Sequence, residues 1–357
     1  MTRITALQRS FSDRWFKTTP GAAPDPEYGI KVLYEPEVAD VDIVFVHGIT
    51  GHREGTWTAA DGNGPWPQSL LPSLLPRARI LTFGYDAAVM GAWSSVSGNR
   101  IGDHARNLLS ALAAQRALDP SGVALPLIFV AHSLGGLVVK DAMLASRTSP
   151  EAHLRTIHDC TQGILFLGTP HIGSSLATVA DRCVRAAALV GARTNTKIVQ
   201  VLRRDSEVLD RIQHEFHEML RMRPLSIICF YEELAMPGIG VIVPRTSAVL
   251  PGYTAIGIHS HHRDIARFAR ASDPGFLSIV GQLRRLVADN SSLSSSQMSD
   301  IDSKSDATLV SSVSSLGEDM HPAPPQGSSG ITIWGNVYNS SVVNGHHTIA
   351  GDLVFSR

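Results

Sequence analysis

One rhythm constrains this chain more than any other feature. Short, nearly continuous apolar runs alternate with longer amphipathic stretches. The runs at residues 41–46 (Val-Asp-Ile-Val-Phe-Val), 79–83, 127–130, 163–167, 225–230 and 253–256 have the length and β-branched content of strands. Ile101, Ala105, Leu108, Leu109 and Leu112 fall at i, i+4, i+7, i+8 and i+11, which is one face of a helix. A strand with no polar side has to be covered on both faces. Such strands separated by helices predict an α/β fold, with a mostly parallel sheet between two helical layers. Residues 172–222 interrupt the rhythm with helix-like sequence and are expected to form a helical cap over one end of the sheet.

Composition supplies the core that this architecture needs. Apolar residues make up 43% of the 357 and charged residues 18%, which excludes wholesale disorder. Basic and acidic side chains number 31 and 32, for a net charge of −1. No global positive field therefore exists to hold nucleic acid by its phosphates. Cys160, Cys183 and Cys229 are too few for a disulfide framework or a four-cysteine zinc site, and they fit a reducing compartment. The N-terminal residues lack the continuous apolar segment of a secretory signal. The longest candidate for a membrane span, residues 123–139, is broken by His132 and Ser133. Residues 1–28 read as a poorly ordered tail. Ile4, Leu7, Phe11 and Trp15 at near-helical spacing among Arg3, Arg9, Arg14 and Lys17 would also suit a membrane-surface or targeting helix.

The most informative segment is Phe129-Val-Ala-His-Ser-Leu-Gly-Gly136. A buried strand precedes it and a helical pattern follows, the strand–turn–helix context of a nucleophile elbow. So sharp a turn tolerates only small residues around the serine, here Ala131, Gly135 and Gly136, with alanine at the usual first glycine. The competing reading is an ordinary glycine-rich turn with a capping serine. A serine hydroxyl needs a base to take its proton, and acyl transfer needs donors for the developing oxyanion. The amide of Leu134 is one expected donor. The other is the amide of Ile49, in the loop Val46-His-Gly-Ile-Thr-Gly-His52 after the first long strand, where Gly48 allows close backbone approach. His47 is expected to hydrogen-bond its own loop, with His132 as a further supporting residue.

In this fold the triad runs nucleophile, acid, base. Glu232 and Glu233 come after the strand at 225–230 and compete for the acid, against the alternative of a solvated surface pair. His259, His261 and His262 come after the last strand and compete for the base. Their closeness also admits a zinc site, although the spacing does not match the usual ligand patterns.

Residues 29–272 resemble the lipase-like α/β-hydrolase domain found in fungi, often at the N-terminus of NACHT-type immune receptors. They are also similar to the family of the human serine-active-site-containing protein linked to phosphatidylglycerol remodelling, and more distantly to the inositol deacylases of lipid anchors. The resemblance is carried by residues 42–48 with Gly51-His52, Thr56-Trp57, Trp66-Pro67, Phe83-Gly-Tyr-Asp86, residues 131–136, Gly168-Thr-Pro-His171 with Gly173-Ser174, Phe230-Tyr-Glu232, Ser247-Ala248, His262-Arg-Asp264, Phe268 and Asp273-Pro274. It covers about two-thirds of the chain. The final histidine in that pattern stands two residues before the aspartate, which implies His262 as base and Glu232 as acid. It implies an intracellular serine hydrolase of lipid or small esters without metal or organic cofactor, in peripheral contact with endoplasmic-reticulum or mitochondrial membranes. The rival of a different class is a catalytically silent adaptor that keeps the fold as scaffold.

The remaining chain divides in two. Residues 290–329 hold 14 serines in 40 positions, no aromatics, and Pro322, Pro324 and Pro325. They are expected to form a flexible linker between the hydrolase domain at 29–289 and a short C-terminal β element. Residues 330–357 alternate β-formers with Gly335-Asn, Asn344-Gly and Gly351-Asp turns. One such segment cannot bury its apolar face alone, whereas stacked copies can. It resembles the prion-like amyloid signalling motifs of fungi, which implies self-assembly and a NACHT-type receptor with a similar motif as partner. A docked hairpin or plain disorder are the alternatives.

Overall fold

The structure, a computed structural model, describes residues 27–48, 51–85, 100–119, 122–171, 178–179, 181–182, 185–186 and 206–289. Seven strands form one sheet: β1 (Gly29–Tyr34), β2 (Val41–Val46), β3 (Ala78–Gly84), β4 (Leu127–His132), β5 (Thr161–Leu167), β6 (Ser226–Glu232) and β7 (Thr254–Ile258). Their spatial order is β1-β3-β2-β4-β5-β6-β7. β1 runs antiparallel to β3 and every other pair is parallel. The helices are α1 (Trp66–Ser69), α2 (Arg100–Ala117), α3 (Gly135–Thr148), α4 (Ala152–Cys160), α5 (Ser206–Met222), α6 (Arg245–Ala248) and α7 at 274–289. This is the α/β architecture that the apolar rhythm predicts.

The continuous apolar strands are continuous because both of their sides are packed. Every residue of β2 and β4 is buried. Val44, Val46, Phe129 and Ala131 point into a core with Leu108 and Leu112 of α2, Leu137 and Met143 of α3 and Phe216 of α5. The alternate residues Ile43, Phe45, Ile128 and Val130 point the other way, against Trp57, Trp66 and the α7 residues Phe276 and Leu283. The edge strand β1 is only partly buried and carries Lys31, which is why it leaves no apolar run in the sequence.

Long-range ties fix both ends of the sheet. At the N-terminal ends of the strands, the fully buried carboxylate of Asp42 accepts from Arg79 Nε at 2.7 Å and Nη2 at 3.1 Å, and Arg116 Nε stands 3.3 Å away. At the opposite end, the Trp66 indole N–H donates to Ala266 O at 2.9 Å. Its ring meets Phe45, Phe268 and Phe276 edge-on, with centroids 5.2, 5.6 and 5.6 Å apart. Trp66 and Phe268 thus brace the turn after β7.

Of the segment read as a cap, the main described part is α5. Ile212, Phe216, Met219 and Leu220 of this helix are buried in the core against α3, so this half covers the sheet rather than hanging over its end. Most of residues 172–205, and all of the N-terminal tail before residue 27, the linker and the C-terminal β element, lie outside the described residues. Among the described residues no helix is long and apolar enough to cross a membrane.

Candidate active site

Ser133 sits in the turn between β4 and α3 with φ of 54°, the only positive φ among the described non-glycine residues. A serine held in the left-handed region costs about 1–2 kcal/mol, so the surroundings must impose it. They do so by close backbone approach. The Ser133 N–H donates to Leu167 O of β5 at 2.8 Å. A Cβ on Gly135 would lie 2.2 Å from His47 O, and one on Gly136 would lie 2.3 Å from Thr169 Oγ1. A Cβ on Gly48 would lie 2.6 Å from the Cβ of Ser133 itself. The glycines are required because three loops converge on one turn, and the outcome is a hydroxyl projected at the C-terminal edge of the sheet.

Two distant segments bring their side chains to that hydroxyl. His262 lies beyond β7, and its Nε2 stands 2.9 Å from Ser133 Oγ. Its Nδ1 stands 3.0 Å from Oε2 of Glu232, the last residue of β6. The second carboxylate oxygen, Oε1, accepts the backbone N–H of Val243 at 2.9 Å. All three side chains are buried. The tautomer that carries its proton on Nδ1, beside the carboxylate, leaves Nε2 as the acceptor for the serine O–H, which is what a general base requires.

The rival glutamate and histidines are disposed elsewhere. Glu233 faces the opposite way from Glu232, as neighbours at a strand end do, and its Oε2 lies 3.3 Å from His259 Nδ1 at the surface. His261 Nε2 stands 3.2 Å from Asp264 Oδ2. The three clustered histidines therefore turn to three different carboxylates instead of converging on one point.

The supporting residues hold backbone. His132 donates from Nε2 to the carbonyl of His262 at 3.0 Å, so the residue before the serine holds the chain at His262. Burial, aided by the charge on His262, pushes His132 down to about 3, which keeps it neutral. His47 donates from Nδ1 to Gly48 O at 2.9 Å and accepts the Tyr85 N–H on Nε2 at 3.3 Å. Its ring stacks on Tyr85 with centroids 4.3 Å apart. Burial takes it down to about 4. It hydrogen-bonds its own loop. Leu134 is the N-cap residue of α3, so its amide belongs to the helix N-terminus, where N–H groups have no intrahelical acceptor. Ile49, the other expected oxyanion donor, lies outside the described residues.

Sequence reasoning missed Val243, because a backbone amide carries no side-chain signature. It also missed the role of Gly168. With φ of 58°, this glycine ends β5, and a Cβ there would lie 3.0 Å from His262 Cε1. The glycine at a strand end in Gly168-Thr-Pro-His171 was the available signal.

The fold is an α/β fold, a mostly parallel seven-stranded sheet with helices on both faces. No protein-family model matches the chain. Its sequence is similar to protein SERAC1 of Bos taurus, 28% identical over 237 residues, which is 61% of this chain and 34% of that protein. Human SERAC1 is 28% identical over 211 residues, 54% of this chain and 30% of that protein. The chain thus spans about a third of the length of these relatives. Solved structures similar to it include the mature Bacillus licheniformis lipase BlEst2, with a TM-score of 0.46 and 18% identity over 72% of this chain and 99% of that one. The α/β-hydrolase MGS-MChE2 from a lagoon-sediment metagenome has a TM-score of 0.40 and 15% identity, covering 74% and 97% of the two chains.

Proposed function

We propose that the protein is a serine esterase or lipase that cleaves carboxylic esters, among them lipid acyl esters, through Ser133, His262 and Glu232. One observation carries the reading: the line Ser133 Oγ–His262–Glu232, with spacings of 2.9 and 3.0 Å, assembled at a strained serine turn. Ser133 Oγ attacks the ester carbonyl carbon as His262 Nε2 takes its proton. The amides of Leu134 and Ile49 receive the oxyanion, and a single such donor is worth roughly a hundredfold to a thousandfold in rate. His262 then returns the proton to the departing alcohol, leaving an acyl-serine. Water attacks that ester with His262 again as base, which releases the acid and frees Ser133. Glu232 orients His262 and stabilises its imidazolium in both halves.

The test is covalent labelling by a fluorophosphonate probe together with hydrolysis of a nitrophenyl ester. Wild type should label and turn over, and Ser133→Ala should do neither while folding normally. Equal turnover by the two proteins would move the nucleophile elsewhere. Absence of labelling and turnover in a folded wild type would favour the silent-adaptor reading.

The proposal includes the C-terminal segment. Residues 330–357 would assemble as cross-β, matched by a receptor bearing a similar motif, with 290–329 as tether, and the hydrolase domain would act peripherally at a membrane. The support is the sequence pattern of the segment and its low charge, with Asp352 and Arg357 as its only formal charges.

A further inference from the structure

A lysine is fully buried two helical turns beyond the serine. Lys140 of α3 donates from Nζ to Gln213 Oε1 of α5 at 2.5 Å and to His171 Nδ1 at 2.7 Å. Its ammonium also stands 5.4 and 5.1 Å from the ring centroids of Phe166 and Phe216. A buried ammonium is usually met by a carboxylate. Here, among the described residues, its hydrogen-bond partners are two neutral side chains, and the thiol of Cys229 lies behind the imidazole, 3.7 Å from His171 Nε2. Burial lowers Lys140 to about 7 and holds His171 well below its usual value, with the lysine charge adding to the effect. Such a site is expensive to keep, and core stability would be served better by an apolar side chain.

The contacts of His171 suggest what the arrangement does. The backbone N–H of His171 donates to Ser247 O at 2.6 Å. Ser247 and Ala248 close a turn by donating to Pro244 O at 2.8 and 2.9 Å. Immediately before that turn, Val243 gives its amide to Glu232 Oε1. Ile242, Val243, Ser247 and Ala248 are all buried. A continuous path therefore runs from Lys140 through His171 and the strap at 242–248 to Glu232, then through His262 to Ser133, whose turn launches the helix that carries Lys140.

We propose that Lys140 and His171 are positioning residues, which hold the 242–248 strap so that the Val243 amide aims the Glu232 carboxylate at His262. Neither touches the reacting atoms. Gln213 completes the clamp from α5, where its Nε2 also donates to Pro170 O at 3.4 Å. This inference rests on the serine-triad reading, and its test has an arm that does not depend on turnover.

That arm is proton NMR of the imidazole hydrogen shared by His262 and Glu232, in the full-length chain. Lys140→Met keeps the length of the side chain and removes the clamp. The resonance should shift or broaden as it does in Glu232→Gln. Hydrolysis of a soluble nitrophenyl ester should fall about tenfold to a hundredfold in kcat. The acid limb of kcat/KM should move to lower pH in both variants, because an imidazolium without its carboxylate is less stable. Gln213→Met should shift the same signals less, and it carries the test if Lys140→Met does not fold. An unchanged resonance in the folded variants overturns the inference. So does lost activity with an unmoved acid limb, since that marks simple destabilisation. If the wild type shows the resonance but no Ser133-dependent turnover, the hydrolase reading falls while the resonance still decides the role of the strap.

Discussion

Ser133 combines a backbone conformation that favours glycine with the hydroxyl that the proposed reaction uses as its nucleophile. Replacement by alanine and by glycine both remove the hydroxyl, but glycine alone tolerates φ of 54° without strain. Ser133→Gly is therefore expected to be more stable than Ser133→Ala by about 1 kcal/mol, the reverse of the usual order for these residues. Denaturant melts of the two variants measure this directly, and a more stable alanine variant would mean that the turn is not strained. At the acid, Glu232→Gln should lower kcat at least about a hundredfold, since it removes the partner that fixes the tautomer of His262. Glu233→Gln should cost little, because that carboxylate faces His259 at the surface. His262→Ala should match Ser133→Ala, with His259→Ala and His261→Ala much milder. A reversed ranking of the two glutamates would transfer the acid role to Glu233.

At the scale of elements, α3 and the strand ends on either side of it carry titratable groups whose burial favours the uncharged form. Lys140 falls from 10.5 to about 7, His47 from 6.5 to about 4 and His132 from 6.5 to about 3. In each case the unfolded chain binds the proton more tightly, so stability rises with pH between the folded and unfolded values and is lost as pH falls through that window. Relative to Lys140→Met, the wild type should gain stability as pH climbs from about 7 towards 10.5. On the acid side, stability should fall between pH 6.5 and about 3, and His132→Gln should flatten that slope. Urea melts across pH report both windows. A wild type that runs parallel to Lys140→Met above neutrality would show that Lys140 is not buried as described.

At the scale of the whole molecule, the sheet and its two helical layers account for the described residues between 29 and 289, and Ser133, Glu232 and His262 all lie among them. A chain ending at residue 289 is expected to keep its melting temperature and its turnover of a soluble ester. An isolated 330–357 peptide should give fibrils with a meridional spacing of about 4.8 Å. Loss of turnover on truncation would tie the tail to the catalytic domain. A peptide that stays monomeric for weeks near neutral pH would remove the assembly proposal and leave the hydrolase reading intact.

Features that depend on neighbours along the chain can be read from the residues alone. β2 and β4 were legible as unbroken apolar runs because both of their faces are buried. The serine turn was legible because its curvature excludes a Cβ at Gly135 and Gly136. Features that depend on neighbours across space emerge only once the chain is folded. β1 was not legible because an edge strand with half-exposed residues and Lys31 has no distinctive period. His259, His261 and His262 are chemically alike and nearly adjacent, so the residues alone left them open and the resemblance implied His262; the direction of each side chain is what brings His262 to Ser133 and Glu232. The amide of Val243 and the buried clamp at Lys140 have no sequence signature at all. A backbone N–H is common to nearly every residue, and the burial of a lysine is a property of the elements packed around it.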